Sequence, residues 1–253
     1  MNEMTDGHIV KAYSEELDRI NQLVVDLGDL GDLGDLGDLG DLGLDQLRRA
    51  VKTIKDEDPK EAGLVIDRDR ELNDIDVKAD EEIILLIAKR QPVAKDLRDI
   101  LTVQKVITDL ERVGDEARKI ANLTIHFYGN GQSQPSREIL RDIYEMASFA
   151  DEMLAMSMRA FNELDTKIAL GVIGQDQSLY EEFRGALRRL STFIMEDSRS
   201  VGHAVDIVLA LRALERIGGH AKNIGGHVIF LVTGKDVRHE DLSVIYSEVE
   251  NSL

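Results

Sequence analysis

The feature of this sequence that most constrains its fold is an internal duplication. Residues 110–117 (LERVGDEA) align with residues 214–221 (LERIGGHA) at an offset of 104 positions. Upstream, six identities relate residues 58–69 to residues 165–176 at an offset of 107 positions. The difference between the two offsets requires only one small length change in a connection. The sequence therefore predicts two homologous halves, joined within the segment 129–136, whose Gly, Asn, Ser and Pro content is typical of a loop.

Proline is scarce in this chain and its placement favours long helices. The three prolines stand at positions 59, 92 and 135, and residues 136–253 contain none. Because proline breaks helix interiors and charged residues make up 32% of the chain, the composition favours helix throughout. Apolar residues between positions 100 and 114 recur at steps of three and four, as they do on one face of a helix. We therefore predict an all-α protein.

Three helices fit within each half. We expect helices over residues 7–25, 60–90 and 94–128 in the first half, and over residues 137–162, 166–194 and 201–233 in the second. Pro92 suits the start of a helix, and Gly234 suits the end of one. The predicted fold is two tandem, homologous three-helix bundles with pseudo-two-fold symmetry. The first bundle spans residues 1–130, the second spans residues 136–239, and residues 240–253 form a C-terminal tail.

A low-complexity tract interrupts the first predicted bundle. Residues 26–43 consist of the triplet Asp-Leu-Gly repeated six times. Six glycines would cost a helix roughly 6 kcal/mol relative to alanine, and a three-residue period does not hold leucines on one helix face. We expect the tract to break or fray the first helix, which would resume near residue 44. A calcium-binding repeat is the alternative, but known β-helical calcium repeats have a longer period.

The charge balance and the missing residue types exclude several classes of protein. With 31 basic and 49 acidic residues the chain carries a net charge of −18, which disfavours binding to nucleic acid and to anionic membranes. Without cysteine it has neither disulfides nor thiolate metal sites. No apolar run is long enough for a transmembrane helix, and the N-terminus lacks the apolar core of a secretory signal. We expect a cytoplasmic protein that does not insert into the membrane.

Two pairs of oxygen-bearing side chains stand out among the acidic residues. Glu111 and Asp115 are four positions apart on one helix face, and Asp69 and Asn73 have the same spacing on the preceding helix. If these helices pack antiparallel, four oxygen ligands converge, which suits magnesium, calcium, manganese or iron. Gly114 favours a close helix approach beside them. The alternative, which spacing alone favours, is a solvated acidic face.

The sequence contains no recognisable set of catalytic residues. It lacks a phosphate-binding Gly-x-x-x-x-Gly-Lys motif, a Gly-x-Ser-x-Gly motif and any cysteine nucleophile. None of the six histidines follows a glutamate at the three-residue spacing of di-iron proteins. Arg112 and Arg216 follow the repeated glutamates and are expected to pair with neighbouring acids such as Asp109 or Glu116. We therefore predict that the protein is not an enzyme.

Four stretches of this chain resemble the PhoU family of phosphate-specific transport accessory proteins. They are residues 88–120, 193–199 (FIMEDSR), 214–218 and 231–239 (LVTGKDVRH). The resemblance implies two symmetric helical bundles, a cytoplasmic location and a homodimer. It also implies a negative regulator of phosphate uptake and of the phosphate-starvation response. Such a protein would act as an adaptor between the ATPase of the phosphate ABC transporter and a membrane sensor histidine kinase.

The resemblance further implies one metal cluster in each bundle. The first would use Asp69, Asn73, Glu111 and Asp115, and the second would use Asp176 and Glu215, with Asn223 nearby. The sequence departs from the family pattern in the second half, where Tyr180 and Gly219 replace oxygen ligands and Gly226 replaces a frequent glutamate. We therefore expect a divalent metal or iron in the first bundle, and weak or absent metal binding in the second.

Two other functions remain open on the sequence alone. One is a metal-dependent helical protein, either a metal store or a hydrolase, that uses the carboxylates of the first bundle. The other is a helical interaction scaffold unrelated to phosphate, since a fold does not determine a function.

Overall fold

The described chain consists of helices. The computed structural model describes residues 36–92, 95–129, 134–196, 201–238 and 240–250, and within these ranges it contains seven helices and no strand. They are α1 (Leu36–Asp56), α2 (Pro59–Arg90), α3 (Lys95–Tyr128), α4 (Arg137–Glu163), α5 (Thr166–Glu196), α6 (Val201–Thr233) and α7 (Leu242–Glu250). The prediction of an all-α fold is confirmed. The helix predicted over residues 7–25 lies outside the described residues.

Equivalent caps begin the second helix of each half. The carboxylate of Asp58 accepts hydrogen bonds from the backbone N–H groups of Lys60 and Glu61, at 2.9 and 3.1 Å. The carboxylate of Asp165 accepts from Lys167 and Ile168, at 2.7 and 3.1 Å. Each aspartate satisfies backbone donors that the first helical turn leaves unpaired. The duplicated sequence thus starts α2 and α5 by the same local mechanism.

The first described helix begins earlier than the predicted restart near residue 44, and residues 26–35 of the Asp-Leu-Gly tract lie outside the described residues. Helix α1 begins at Leu36, inside the tract, and continues through residue 44 without interruption. Leu39 is only 3% exposed, and a Cβ at Gly40 would stand 2.5 Å from the Cε atom of Met158 on α4. Burial of leucine and close helix contact therefore offset the helix cost of glycine here.

The two halves share one continuous hydrophobic core. Helices α1, α2 and α3 form the first bundle, α4, α5 and α6 form the second, and α3 packs against α6 between them. Contacts from Asp109 to His220 and from Glu116 to Arg216 show that α3 and α6 run antiparallel. The side chain of Phe127, near the end of α3, is among the largest that are fully buried. This arrangement places the repeated Leu-Glu-Arg block of each half near the centre of the molecule.

The segment predicted as a C-terminal tail contains a further helix. Helix α7 packs against α5, and its residues Ile245 and Val249 are buried. The hydroxyl of Tyr246 approaches Gly174 of α5. The last helix therefore belongs to the packed body of the second bundle.

Candidate metal centre in the first bundle

A close contact between α2 and α3 positions the four predicted ligands. A Cβ atom at Gly114 would overlap Cδ1 of Leu72 and would stand 3.2 Å from Oδ1 of Asp69. Glycine therefore lets α2 lie close to α3 where both helices carry oxygen-bearing side chains. The same contact recurs in the second half, where a Cβ at Gly218 would overlap Leu179. The sequence-based expectation of a close helix approach at Gly114 is confirmed.

Arginines of α3 hold the carboxylates of this centre. Nε of Arg118 lies 2.8 Å from Oδ2 of Asp69, and its Nη2 donates to Oδ1 of Asp115 at 2.6 Å. Nε of Arg112 lies 3.3 Å from Oε2 of Glu111, and its Nη1 lies 3.5 Å from Oδ2 of Asp115. Two guanidinium groups thus contact three carboxylates that come from two helices, and one negative charge is left without a matching cation.

Burial shifts the titration of the two most enclosed carboxyl groups. Burial raises the pKa of Asp69, while the positive charge of Arg118 opposes the shift and the carboxylate of Asp115 adds to it. Burial also raises the pKa of Glu111, against the charge of Arg112, and the nearby Asp115, Asp76 and Asp69 carboxylates add to it. Asn73 lowers the pKa of Asp69 through a hydrogen bond, which places its amide beside that carboxylate. All four predicted residues therefore belong to one electrostatic neighbourhood.

Two buried oxygens in this neighbourhood lack hydrogen-bond partners among the described residues. They are Oδ1 of Asp69, whose side chain is 4% exposed, and Oε2 of Glu111, which has the Nε of Arg112 at 3.3 Å without hydrogen-bond geometry. A buried carboxylate oxygen without a hydrogen bond is costly, and a hard cation is the ligand that removes this cost. The donor set of carboxylate and amide oxygens fits magnesium, calcium, manganese or iron.

The tightest carboxylate cluster among the described residues lies elsewhere, in the second bundle. Ligand oxygens of Asp142, Glu145 and Glu182 lie within 4.8 Å of one another. Arg189 donates to Asp142 at 2.9 Å and also bonds to Glu182, so this cluster already contains a cation. No three carboxylates of the first-bundle centre come this close together, and the guanidinium of Arg118 contacts both Asp69 and Asp115.

The equivalent position in the second half has a different chemistry. Nζ of Lys222 donates to Asp176 at 2.7 Å, and Nη1 of Arg212 lies 3.0 Å from Glu215. Tyr180 is exposed, and a Cβ at Gly219 would meet nothing within 4 Å. The predicted ligands of this half, Asp176 and Glu215, are thus paired with cations. The replaced positions, Tyr180 and Gly219, add no carboxylate or amide oxygen.

Asn223, suggested as a further ligand of the second half, points instead to the first half. Its amide nitrogen donates to Oδ1 of Asp109 at 3.1 Å. The same carboxylate hydrogen bonds to Nδ1 of His220 at 2.8 Å and to Nε2 of His227 at 3.2 Å. Burial alone would raise the pKa of Asp109, but the hydrogen bonds from His220, His227 and Asn223 outweigh it and lower the pKa. Sequence reasoning missed this cluster, whose one local signal is an aspartate within an apolar helix face.

A second buried carboxylate also joins α3 to α6. Glu116 accepts from Nζ of Lys119 at 2.8 Å and from Nη1 of Arg216 at 3.1 Å. The contact of Arg216 with Glu116 joins two helices and was not predicted, whereas Arg112 pairs with Glu111 and Asp115 on its own helix. Together with Asp109, this contact gives the boundary between the halves a polar centre within an apolar core.

No helix in the described part of the chain has both the length and the apolar character that a membrane span requires. The fold and the site define a duplicated helical-bundle protein whose first unit gathers carboxylates beside a glycine. The chain belongs to the PhoU family, because the PhoU domain matches twice, at residues 36–124 and 143–228. The two matches correspond to the two halves that the duplication predicts.

Full-length relatives support this assignment. The Pseudomonas aeruginosa phosphate-specific transport system accessory protein PhoU homolog is 36% identical over 245 residues, which cover 97% of this chain and 95% of that protein. The Escherichia coli phosphate-specific transport system accessory protein PhoU is 31% identical over 232 residues, which cover 92% of this chain and 90% of that protein.

Solved structures show the same fold. The crystal structure of PhoU from Pseudomonas aeruginosa superimposes with a TM-score of 0.74 at 35% identity, covering 88% of this chain and 100% of that one. The phosphate transport system regulatory protein PhoU from Streptococcus pneumoniae has a TM-score of 0.70 at 22% identity, covering 89% and 99%. The latter likeness concerns the fold alone.

Proposed function

We propose that this chain is an accessory protein of a phosphate-specific transport system, and that it restrains phosphate uptake and the phosphate-starvation response. The observation that carries the proposal is the match of both halves to the PhoU domain. Relatives aligned over more than nine-tenths of this chain bear the name of such accessory proteins. The alignment with them extends through both bundles, so the proposal concerns the whole architecture.

Within this role the protein acts in the cytoplasm as an adaptor. Its partners are the ATPase of the phosphate ABC transporter and a membrane sensor histidine kinase, and it works as a homodimer. The net charge of −18 supports rapid association with basic partner surfaces, because opposite charges steer encounter. The sequence offers no catalytic set, so the adaptor reports the state of the transporter by binding, without chemistry of its own.

The test of this proposal is genetic. Deletion of the gene is expected to derepress phosphate-starvation genes in phosphate-rich medium, and the wild-type gene is expected to restore repression. Unchanged repression in the deletion strain contradicts the proposal. The adaptor role is tested separately by recovering the tagged protein from cells grown with and without phosphate and measuring the bound transporter ATPase and sensor kinase.

A second proposal is that the first bundle binds a hard metal cation. It is supported by the buried oxygens of Asp69 and Glu111 that have no hydrogen bond, and by the neighbouring side chains of Asn73 and Asp115. In that site the four side chains hold the cation between α2 and α3, and the cation supplies positive charge to a group of buried carboxylates. The second half binds metal weakly or not at all, because Tyr180 and Gly219 stand where the first half has Asn73 and Asp115 and supply no carboxylate or amide oxygen.

Metal analysis of the purified protein tests this second proposal. Glu111→Ala is expected to remove the bound metal, whereas Glu215→Ala, its counterpart in the second half, is expected to leave the metal content unchanged. Equal metal content in both variants contradicts the assignment. Repression of the starvation genes in the same two variants then separates a regulatory metal from a metal store, because a store loses its metal without any change in signalling.

A further inference from the structure

The guanidinium of Arg118 lies where a cation bound by the first bundle would lie. It contacts Asp69 on α2 at 2.8 Å and Asp115 on α3 at 2.6 Å, and thereby joins the two helices. Both aspartates belong to the proposed metal centre, so the arginine and a metal ion require the same oxygens. Two cations cannot share these oxygens without strong repulsion.

The second half uses a basic side chain at the same position. Lys222 corresponds to Arg118 at the offset of 104 residues, and Asp176 corresponds to Asp69 at the offset of 107 residues. Nζ of Lys222 lies 2.7 Å from Oδ2 of Asp176, close to the separation of Arg118 and Asp69. A positive side chain opposite the inner aspartate is therefore a feature of both halves.

The arginine does not satisfy the carboxylate that it contacts. Oδ1 of Asp69 has no hydrogen-bond partner among the described residues, and Nε of Arg118 lies near Oδ2 without hydrogen-bond geometry. The Arg118 side chain is 39% exposed, whereas the Asp69 side chain is 4% exposed. The guanidinium can therefore move into solvent, while the carboxylate has to remain inside and retains capacity for another cation.

We propose that Arg118 and a divalent cation exchange at Asp69 and Asp115. Without metal, Arg118 pairs with both carboxylates; when metal binds, its guanidinium is released to the surface of α3. This inference rests on the proposed metal site. In this exchange Arg118 determines the affinity of the site for metal, and metal binding releases the arginine side chain to the protein surface. Arg112 has a smaller effect, since its side chain is 56% exposed and its contacts are 3.3 and 3.5 Å.

Calorimetric titration with Mn²⁺ tests the exchange. The substitution Arg118→Met keeps an unbranched apolar stem and removes the charge, and it is expected to lower the Kd for Mn²⁺ about two- to fivefold, the range set by loss of a partly exposed ion pair. Lys222→Met is the matched control in the second half and is expected to leave the Kd unchanged. Circular dichroism and thermal unfolding establish that both variants are folded.

Chemical modification provides the second measurement. Mn²⁺ is expected to increase the modification of Arg118 by an arginine-selective glyoxal reagent, read by peptide mass spectrometry. Arg48, whose pair with Asp151 belongs to neither carboxylate cluster, serves as an internal reference. An unchanged or raised Kd in folded Arg118→Met overturns the exchange and leaves the metal site in place. Modification of Arg118 that does not respond to Mn²⁺ also overturns it. Absence of Mn²⁺ binding in both the wild type and Arg118→Met overturns the metal site itself.

Discussion

Asp109 links the two halves through the most enclosed polar cluster at their boundary. Its carboxylate accepts hydrogen bonds from three side chains of α6, namely His220, Asn223 and His227, at 2.8, 3.1 and 3.2 Å. Replacing Asp109 with alanine removes the common acceptor and leaves three donors in a largely buried position. We therefore expect Asp109→Ala to lower the free energy of unfolding far more than a surface substitution does.

The magnitude of this loss follows from the contacts. A hydrogen bond to a charged group contributes about 1.5–3 kcal/mol, and breaking a buried ion pair costs about 3–5 kcal/mol. The three bonds do not add, because the side chain of His220 is 20% exposed and regains water when its partner is lost. The expected loss is therefore about 2–4 kcal/mol. Asp109→Asn keeps one acceptor oxygen, so its loss is expected to be smaller.

Urea unfolding followed by circular dichroism at pH 7 measures this loss. Asp151→Ala is a matched control, because Asp151 on α4 also contacts the other half, through Arg48 of α1 at 2.6 Å. The side chains of that pair are 29% and 57% exposed, and such pairs contribute less than about 1 kcal/mol. A loss for Asp109→Ala no larger than that for Asp151→Ala would refute the view that the buried cluster holds the halves together.

Three further predictions concern stability. In urea unfolding, Gly219→Ala is expected to stabilise the protein by about 0.5–1 kcal/mol, because the new Cβ meets nothing within 4 Å. Gly114→Ala is expected to destabilise it by about 1–3 kcal/mol, because the new Cβ overlaps Leu72. Burial raises the pKa of Asp142, so the contribution of this one group to stability falls as the pH rises above the ordinary carboxyl value. The difference in Tm between Asp142→Asn and the wild type is therefore expected to shift in favour of the variant from pH 3.5 to pH 7, and a constant difference would contradict this. Leu39→Ala is expected to cost about 2–3 kcal/mol in urea unfolding, as for a packed leucine, whereas a cost below about 0.5 kcal/mol would indicate that the tract does not pack.

The helices were predictable because their signals are local. Pro59 and Pro92 mark positions where a helix interior is not possible, and Gly234, with φ of 76°, ends α6 as expected. The duplication added the long-range information, since two similar halves with short connections restrict the ways in which six helices pack. The conclusion that the chain forms two related helical units therefore needed no knowledge of individual contacts.

The course of the Asp-Leu-Gly tract was not predictable from local preference. Glycine disfavours helix, and the triplet period does not produce an apolar face. The structure shows that Gly40 makes room for Met158, a residue 118 positions later in the chain. A helix stabilised by a contact over that distance has no signature in the tract itself.

The polar cluster between the halves could not be predicted from the sequence for the same reason. The residues that contact Asp109 are 111 to 118 positions away. Spacing on α3 identifies Asp109 only as an acidic residue among apolar ones, and spacing on α6 identifies His220 and His227 only as neighbours on one face. Their meeting depends on the antiparallel packing of α3 and α6, which follows from the tertiary structure.

The duplication has preserved helix packing more faithfully than the candidate ligands. Gly114 and Gly218 receive Leu72 and Leu179 in the same way, although the candidate ligand Asp115 of the first half is replaced by Gly219 in the second. Packing at these glycines leaves no room for a Cβ, whereas the position of Gly219 is open. Steric constraint thus explains why the position of Gly218 is also glycine, Gly114, in the first half. The position of Gly219 has no such constraint, and the first half has Asp115 there.

This asymmetry predicts that metal binding can be built into the second half without repacking it. The combination of Tyr180→Asn, Gly219→Asp and Lys222→Met restores the predicted oxygen ligands and removes the competing cation. Tyr180 is exposed and the space around Gly219 is open, so the new side chains fit the existing helices. Titration with Mn²⁺ is expected to reveal one additional equivalent of bound metal per chain, and the same combination with Gly219→Ala is expected to lack it. If the two triple variants bind equal amounts of Mn²⁺, then carboxylate content does not account for the difference between the halves.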